Sequence, residues 1–289
     1  MNKNGSQQRV ALVTGSSRGL GYTIAARLAD EGYDLVVTAR GTDALERARG
    51  ELASTGRKVV AIPADLTRRD DRERLVQRVL DEMGRIDVLI NNAGSGDPVR
   101  FVDTTADTLN HIIELDLVAP IHLTQLVLPE MLANGSGSVV NISSMLAKMP
   151  FPLVSLYGAA KSGLDYFTAS LHQELKDSGV TVSYVSPGGI SDDGFMVAMI
   201  ERTGVELGKA ARMTLVTTDR VAGDVLKAIR KGRVETLSTR GGRMIKKHPK
   251  FGAAMMRRFG MYDFLNEVAK ASTPTPADAP SDELTKATA

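Results

Sequence analysis

The 289-residue chain contains no cysteine and no tryptophan, and aromatic residues make up only 4% of it. The absence of cysteine excludes disulfide bonds and metal sites with thiolate ligands. The histidines show none of the usual metal-ligand spacings, so we expect no metal site. A chain without disulfides fits the cytoplasm, where we expect the protein to be located.

Excess charge of one sign and long apolar runs are lacking as well. The formal net charge is only +2, so no overall field favours binding to nucleic acid. No apolar run reaches the roughly 18 residues of a membrane-spanning helix, and residues 1–9 are too polar to resemble a signal peptide. Hydrophobic residues make up 43% of the chain, which is enough for a large buried core.

Short apolar runs alternate with longer amphipathic stretches along the chain. The runs typical of strands covered on both faces lie at 10–13, 35–38, 59–62, 88–90, 139–142 and 180–185. Helical periodicity follows the first run and recurs at about 69–83, 120–133 and 155–177. This alternation predicts an α/β fold with a doubly wound parallel sheet, in a single domain over residues 1–271. Residues 272–289, rich in Pro, Thr, Ala and Ser, are expected to form a disordered tail.

A glycine-rich segment joins the first predicted strand to the first predicted helix, with the sequence Thr14-Gly15-Ser16-Ser17-Arg18-Gly19-Leu20-Gly21. Glycines let backbone N–H groups approach a pyrophosphate, and the helix N-terminus adds free donors and partial positive charge. The spacing differs from the common G-x-G-x-x-G pattern. A tight strand-to-helix turn without any ligand would explain this segment as well.

Further polar residues follow the later strands, where an open parallel sheet has its ligand crevice. Asn91-Asn92-Ala93-Gly94 comes after the fourth run, and Asp65, after the third, is placed to accept a bond from an adenine amine. Ser144 precedes Tyr157 by 13 residues, and the i, i+4 spacing puts Tyr157 and Lys161 on one helix face. Each could be an ordinary turn, core or solvated residue, but their occurrence together and in this order favours an active site.

These motifs, with Pro187-Gly188, resemble the short-chain dehydrogenase/reductase family over roughly residues 9–190. The resemblance implies a Rossmann-type sheet of seven strands and hydride transfer between a nicotinamide and a carbonyl or alcohol substrate. It also implies a homodimer or homotetramer built on helices 120–133 and 155–177, and a variable substrate region at about 190–271. The residues predicted to contact the cofactor are Gly15, Ser17, Arg18, Gly19, Leu20, Gly21, Arg40, Asp65, Leu66, Asn92, Ala93, Gly94, Tyr157, Lys161, Pro187, Gly188 and Ile190.

The predicted catalytic residues are Ser144, Tyr157, Lys161 and Asp116. A carbonyl that accepts a hydride needs a proton, and a free tyrosine, with a pKa of about 10, transfers protons poorly at neutral pH. The Lys161 ammonium would lower that pKa, and Ser144 would hydrogen-bond the substrate oxygen. The resemblance implies that Lys161 also binds the nicotinamide ribose.

Two positions depart from the family pattern. Asp116 stands where the family usually has an asparagine whose main-chain carbonyl holds a water leading to the lysine. Its carboxylate either holds Lys161 in the charged form or points elsewhere and matters only for helix geometry. Asp192 stands where a threonine usually binds the nicotinamide carboxamide, so we expect Ser191 or the backbone to take that part.

The end of the second strand favours NADP(H) over NAD(H). NAD-specific enzymes commonly place an acid there, which would repel the 2′-phosphate of NADP. Here Ala39 occupies that position and Arg40 follows, while Arg18 supplies a second cation from the glycine loop. Arginine pairs with phosphate through two hydrogen bonds. The alternative is that either arginine is merely solvated.

The variable region carries two further features. Residues 194–212 could form a lid or an ordinary packed helix, with an apolar set of Phe195, Met196, Met199 and Ile200. Residues 236–262 contain seven cations and no acid, interleaved with apolar residues. We expect part of 240–262 to pack beside the pocket, its cations being solvated or meeting anionic lipid or an anionic substrate tail.

The sequence therefore predicts an NADP(H)-dependent oxidoreductase that acts on a small carbonyl or alcohol, with Tyr157 as general acid/base. The alternatives are a non-catalytic nucleotide-binding protein and a membrane-surface protein that retain the same fold. No nucleic-acid partner is expected.

Overall fold

The computed structural model describes residues 8–96, 98–192, 215–239 and 241–272, together with 197, 200, 201 and 203–212. The predicted tail from 273 onward, the lid residues Phe195, Met196 and Met199, and the cation Arg240 lie outside the described residues.

One parallel sheet of seven strands forms the centre of the described chain, in the order β3-β2-β1-β4-β5-β6-β7. Its strands are β1 Val10–Thr14, β2 Asp34–Thr38, β3 Val59–Ala61, β4 Val88–Asn91, β5 Gly137–Ile142, β6 Val180–Pro187 and β7 Glu235–Ser238. The predicted α/β, Rossmann-type doubly wound sheet is confirmed. Six strands match the predicted apolar runs. Strand β7 was not predicted, because three of its four residues are polar and it lies at the sheet edge.

Helices cover both faces of this sheet. They are α1 Gly19–Asp30, α2 Thr42–Ala53, α3 Arg69–Met83, α4 Ala106–Ile113, α5 Ala119–Ala133, α6 Ser155–Glu174, α7 Lys209–Arg212, α8 Thr218–Lys231, α9 Gly242–Lys247, α10 Pro249–Arg258 and α11 Met261–Ser272. On one face, Ile24 and Leu28 of α1 pack with Val225 of α8 in a buried apolar cluster. On the other face, the cluster joins Leu75 of α3 to Leu123 of α5. Burial of each such side chain contributes about 1.5–3 kcal/mol, so the two clusters hold the sheet in place.

The strand order reverses between β1 and β4, which lie side by side at the centre of the sheet. The chain runs outward from β1 through β2 to β3 and then returns to β4 on the other side of β1. In open parallel sheets, ligands bind beyond the carboxyl ends of the strands at such a reversal. The fold therefore brings the residues after β1, β4 and β5 to one crevice.

A continuous helical stretch, 106–133, comprises α4, a π-helical turn at Glu114–Val118 and α5. By length and composition alone this stretch could cross a membrane, which differs from the sequence-based expectation. It lies against the sheet instead, with Leu123, Val127 and Met131 buried there. Core helices of soluble proteins satisfy the same criteria, so the stretch is explained by its packing.

The helices after β7 pack over the loop between β5 and α6. Met261 and Phe264 of this part of the chain share an apolar cluster with Phe151 of the loop and the partly buried ring of Tyr157. Ile245 of α9 packs with Met145 and Met149 in a separate, smaller apolar cluster. The segment 241–262 thus lies beside the end of α6 that carries the predicted site.

Candidate active site

The glycine loop between β1 and α1 depends on the absence of side chains. Gly15 has a φ of +64°, and a Cβ there would lie 2.9 Å from the Cα of Ala93. A Cβ on Gly21 would collide with the carbonyl oxygen of Gly15. Gly19, at the start of α1, has a φ of +68° and lies in the same left-handed region. Only glycine therefore lets the loop close this tightly on the segment after β4.

The segment after β4 is fastened to the glycine loop by side-chain hydrogen bonds. The Asn92 amide donates to the carbonyls of Thr14 at 3.0 Å and Gly15 at 3.2 Å. The Thr14 hydroxyl accepts from the N–H groups of Asn92 at 2.9 Å and Ala93 at 3.0 Å. These bonds bring two motifs far apart in sequence into one wall of the crevice.

The start of α1 fits a bound dinucleotide. Arg18 occupies the position before the helix, and no side chain caps the N–H groups of the first turn. Uncapped donors at a helix N-terminus bind phosphate, and Ser17 and Leu20 lie on the same turn. The glycine cradle leaves the approach to these donors clear of side-chain atoms, which is what a pyrophosphate requires.

Arg18 and Arg40 are both exposed at the mouth of this crevice. Within the described part of the chain, neither arginine has an ion-pair partner. The charge of Arg40 reaches Asp65, where it helps to lower the pKa of that carboxyl. Burial opposes the lowering, but two hydrogen bonds from Thr67, at 3.0 Å and 2.8 Å, outweigh burial. The fold thus places Arg40 close enough to Asp65 for its charge to act there, and Arg18 directly before α1.

Leu66 follows Asp65 and is buried. Its carbonyl oxygen accepts a hydrogen bond of 2.7 Å from the Arg72 guanidinium, which also pairs with Glu114 at 2.6 Å. The backbone after β3 is therefore held rigidly beside the crevice.

Ser144, Tyr157 and Lys161 meet at the carboxyl end of β5. Lys161 donates from Nζ to the carbonyl oxygen of Ile142 at 3.0 Å, and its Nζ lies 5.7 Å from the centroid of the Tyr157 ring. The Ser144 hydroxyl accepts from the N–H of Leu146 at 3.1 Å, at the start of a short turn. A Cβ on Gly96 would lie 2.6 Å from Cδ2 of Tyr157, so the loop after β4 rests on this ring.

Asp116 lies in the π-helical turn between α4 and α5 and is fully buried. Its Oδ1 lies 3.0 Å from Nζ of Lys161, and its Oδ2 accepts from the N–H of Ser95 at 3.0 Å. A Cβ on Gly94 would lie 2.6 Å from that Oδ1, so glycine is needed here for the approach. Of the two interpretations that the sequence left open, the geometry supports the one in which the carboxylate faces Lys161.

Burial is the largest influence on the pKa of each of these groups. It raises the pKa of Tyr157, and the nearby charge of Lys161 opposes this rise without cancelling it. The predicted lowering effect of Lys161 on the pKa of Tyr157 is therefore present, but desolvation of the phenol outweighs it. Burial would lower the pKa of Lys161, but the negative charges of Asp116 and Tyr157 raise it. Burial also raises the pKa of Asp116, against the effect of Lys161 and the Ser95 N–H.

This sequence matches the family described as short chain dehydrogenase over residues 9–202. The chain belongs to that family. Among curated relatives, it is 37% identical over 229 residues to the ketoacyl reductase HetN of Nostoc sp., a match that covers 79% of this chain and 78% of the relative. It is 36% identical over 186 residues to a 3-oxoacyl-[acyl-carrier-protein] reductase of Synechocystis sp., covering 64% and 75%.

Solved structures of the family share the fold. A metagenomic short-chain oxidoreductase in complex with NADP has 30% identity and a TM-score of 0.66, over 80% of this chain and 98% of that one. A short-chain dehydrogenase from Sphingobium yanoikuyae in complex with NADPH has 30% identity and a TM-score of 0.71, over 88% and 95%. A nicotinamide cofactor is thus common to this short-chain dehydrogenase and its relatives.

The segment after β6 is fixed to the start of α8 by its own contacts. Ile190, beyond Pro187 and Gly188, forms an isolated parallel bridge with Val216. The Asp192 carboxylate accepts from the Thr218 N–H at 2.8 Å and from its hydroxyl at 3.0 Å. Asp192 thus holds the start of α8. Ser191 donates from its hydroxyl to the Val216 carbonyl at 3.3 Å.

A buried ionic cluster beside the site was missed by the sequence analysis. The side chain of Lys148 is only 8% exposed, and its Nζ lies 2.5 Å from Oδ2 of Asp165 on α6 and 3.2 Å from Oε1 of Glu235 on β7. It also lies 4.3 Å from the centroid of the Tyr184 ring. The sequence signal that could have revealed this cluster is Lys148 itself, a single lysine within the apolar segment 145–154, since a cation in such a run must be paired when it is buried.

Proposed function

We propose that this short-chain dehydrogenase is an NADP(H)-dependent carbonyl reductase in which Tyr157 is the general acid. The observation that carries the proposal is the buried ammonium of Lys161, which lies 3.0 Å from Oδ1 of Asp116 and 5.7 Å from the centroid of the Tyr157 ring. Burial of a charged lysine costs free energy unless the charge is paired, and groups with perturbed pKa values cluster at functional sites.

Ser144, Tyr157 and Lys161 would each have a separate role in the proposed carbonyl reduction. Bound nicotinamide would supply the hydride to the carbonyl carbon. The hydroxyl of Ser144 would hydrogen-bond the substrate oxygen, and the Tyr157 hydroxyl would give its proton to the developing alkoxide. The phenolate that remains is stabilised by the ammonium of Lys161. In the direction of alcohol oxidation the same phenolate takes the proton back.

Arg18 and Arg40 support the preference for NADP(H). Both are exposed and free of acidic partners in the described ranges, and Ala39 replaces the acid that would repel a 2′-phosphate. A guanidinium binds phosphate through two parallel hydrogen bonds, so the two side chains suit the additional phosphate of NADP.

The substrate proposed is a ketone with an apolar chain, such as a 3-oxoacyl thioester. A small cavity beside Tyr157 is lined mostly by apolar residues, among them Val99, Ile112 and Leu153. The relatives named as ketoacyl and 3-oxoacyl reductases act on this class of ketone. Because this cavity has room for about one water molecule, the proposal of an apolar chain rests on those relatives.

Consumption of NADPH by the purified protein tests this proposal. The panel contains aliphatic ketones, aldehydes and 3-oxoacyl thioesters of increasing chain length, with NADH as the alternative cofactor. We expect turnover with NADPH that improves with chain length and that falls at least about 100-fold in the Tyr157→Phe variant. Absence of turnover across the panel, with NADPH shown to bind, would support the non-catalytic alternative.

A further inference from the structure

The first two helices after β7, α9 and α10, expose many cations and two large apolar side chains, together called here the basic surface. Its exposed members on α9 and α10 are Arg243, Met244, Lys246, Lys247, Lys250, Phe251, Arg257 and Arg258. Residues 241–262 contain no aspartate or glutamate. Like charges this close repel one another, so the surface is costly unless an anionic partner covers it.

Few of these cations have partners within the protein. Lys246 pairs with Glu235 at 2.5 Å, and the Arg257 guanidinium lies 5.2 Å from the Tyr262 ring centroid. The other four, Arg243, Lys247, Lys250 and Arg258, have no acid within ion-pair distance among the described residues. These four charges are therefore available to a ligand.

Large apolar side chains are exposed on the same helices. Met244 is 43% exposed and Phe251 is 54% exposed. An exposed phenylalanine does not stabilise a solvated cationic helix face. A membrane-interface helix, in contrast, combines cations with Phe or Leu. The combination distinguishes the basic surface from ordinary charged helix faces.

The opposite side of these helices is fixed to the protein. Ile245 of α9 is buried with Met145 and Met149 of the loop after Ser144. A Cβ on Gly252 of α10 would lie 2.7 Å from Cγ2 of Ile245, so the two helices pack closely. The basic surface is consequently held in one orientation, outward from the active-site loop.

Two other kinds of partner fit this surface less well. A second copy of the chain, joined across a two-fold axis, would bring these cations against one another. An acidic protein would satisfy the charges but would need an apolar pocket for Phe251. A bilayer with anionic headgroups offers both negative charge and an apolar layer beneath it, without any matching shape.

We propose that α9 and α10 form a docking surface for an anionic lipid bilayer, with the cations at the headgroups and Phe251 and Met244 in the interface. This inference goes beyond the proposed reaction and does not depend on it. Docking places the loop after Ser144 one helix layer from the bilayer. A peripheral contact of this kind is compatible with the expected cytoplasmic location.

Sedimentation of the full-length protein with lipid vesicles tests the proposal. Vesicles of phosphatidylcholine alone are compared with vesicles that contain phosphatidylserine, at low and at physiological salt. We expect binding to the anionic vesicles only, weakening as salt rises, because salt screens exposed charges. Binding that is equal for neutral vesicles, or absent from anionic vesicles at low salt, would overturn the proposal.

Two matched variants test whether the basic surface is the part of the protein that binds lipid. The surface variant carries Arg243→Gln, Lys247→Gln, Lys250→Gln and Arg258→Gln. The control variant removes the same charge from exposed cations elsewhere, by Arg47→Gln, Lys176→Gln, Arg220→Gln and Lys231→Gln. Since each cation near an anionic surface contributes independently, we expect the surface variant to lose at least about tenfold in vesicle affinity and the control to lose much less. Equal losses would show that net charge alone, rather than this surface, binds lipid.

The single variant Phe251→Ser tests the apolar part. It should weaken the binding that persists at physiological salt while leaving the charge unchanged. In a separate assay, an acidic protein domain replaces the vesicles as the ligand. If the protein binds that domain and not anionic vesicles, the surface is a protein interface and the proposal is wrong.

Discussion

The ammonium of Lys161 lies 3.0 Å from Oδ1 of Asp116, and both side chains are buried. This contact joins α6 to the π-helical turn before α5. It gives the lysine a negatively charged neighbour besides Tyr157. Asp116 therefore weakens the influence of Lys161 on the tyrosine and itself raises the pKa of Tyr157.

Replacement of Asp116 by asparagine should move the pH dependence of the reaction. Removal of the carboxylate removes a cause that raises the pKa of Tyr157, so that pKa falls and more phenolate is present at a given pH. Alcohol oxidation needs the phenolate, and its acidic limb should shift to lower pH by about one unit. The pH profile of kcat for oxidation measures the shift. Asp107→Asn, at an exposed position on α4, should leave the limb in place, and an unmoved limb in Asp116→Asn contradicts the prediction.

Removal of the Tyr157 hydroxyl should abolish proton transfer without disturbing the fold. In Tyr157→Phe the ring still packs against the loop at Gly96. We expect kcat to fall at least about 100-fold while NADPH still binds, since this is the usual scale of general acid catalysis. Steady-state kinetics and a fluorescence titration of the cofactor measure the two quantities. Tyr166→Phe, on the exposed side of the same helix, is the control and should retain full activity.

Introduction of an acid at Arg40 should change the choice of cofactor. Arg40→Asp replaces a partner of the 2′-phosphate by a repelling charge, whereas NADH has no phosphate there. A charged hydrogen bond contributes about 1.5–3 kcal/mol, so NADPH affinity should fall by about 10- to 100-fold more than NADH affinity. Titration of both cofactors decides the question. Arg47→Asp, exposed on α2, tests for a non-specific charge effect, and equal losses for both cofactors in Arg40→Asp would remove Arg40 from the phosphate site.

Loss of the buried Lys148 ammonium should destabilise the protein. Lys148→Met leaves Asp165 and Glu235 without their shared cation, and removal of one partner from a buried pair costs about 3–5 kcal/mol. Urea unfolding measures the loss. In contrast, Lys227→Met removes an exposed partner of Asp224 and should cost less than about 1 kcal/mol.

The pH dependence of that loss has a definite sign. Burial already raises the pKa of Asp165, and Lys148 opposes the rise. Without Lys148 the pKa rises further, and protonation of Asp165 as pH falls relieves the uncompensated charge. The difference in unfolding free energy between wild type and Lys148→Met should therefore shrink toward acidic pH. A difference that grows as pH falls would assign the stabilisation to another group.

Assembly through α5 and α6 is expected from the family resemblance. Leu164 of α6 is buried against the core, whereas Tyr166 is 79% exposed on the other side of the helix. A two-fold contact would cover this side. Light scattering at micromolar concentration should report a dimer or tetramer, and Tyr166→Glu should shift it toward the monomer. A wild-type monomer would contradict the prediction.

Much of the fold could be predicted because its signals are local. A strand covered on both faces is mostly apolar, and six of the seven strands contain such an apolar run in the printed sequence. The seventh, β7, is short and polar at the edge of the sheet, so its residues carry no such signal. The glycine loop was predictable from its local sequence pattern, and at Gly21 the excluding atom is local too, the carbonyl oxygen of Gly15. At Gly15 the excluding atoms belong to Ala93, which only the tertiary structure brings close.

The sequence by itself determined which residues are candidates for catalysis: Ser144, Tyr157 and Lys161 stand at spacings that a strand end and one helical turn convert into neighbours. Only the tertiary structure decided that Asp116 faces Lys161, because a π-helical turn sets the direction of its side chain. The same holds for Lys148, whose partners come from α6 and β7. Spacing along one element is set by backbone geometry, whereas contacts between elements depend on how the whole sheet and its helices close around a common core.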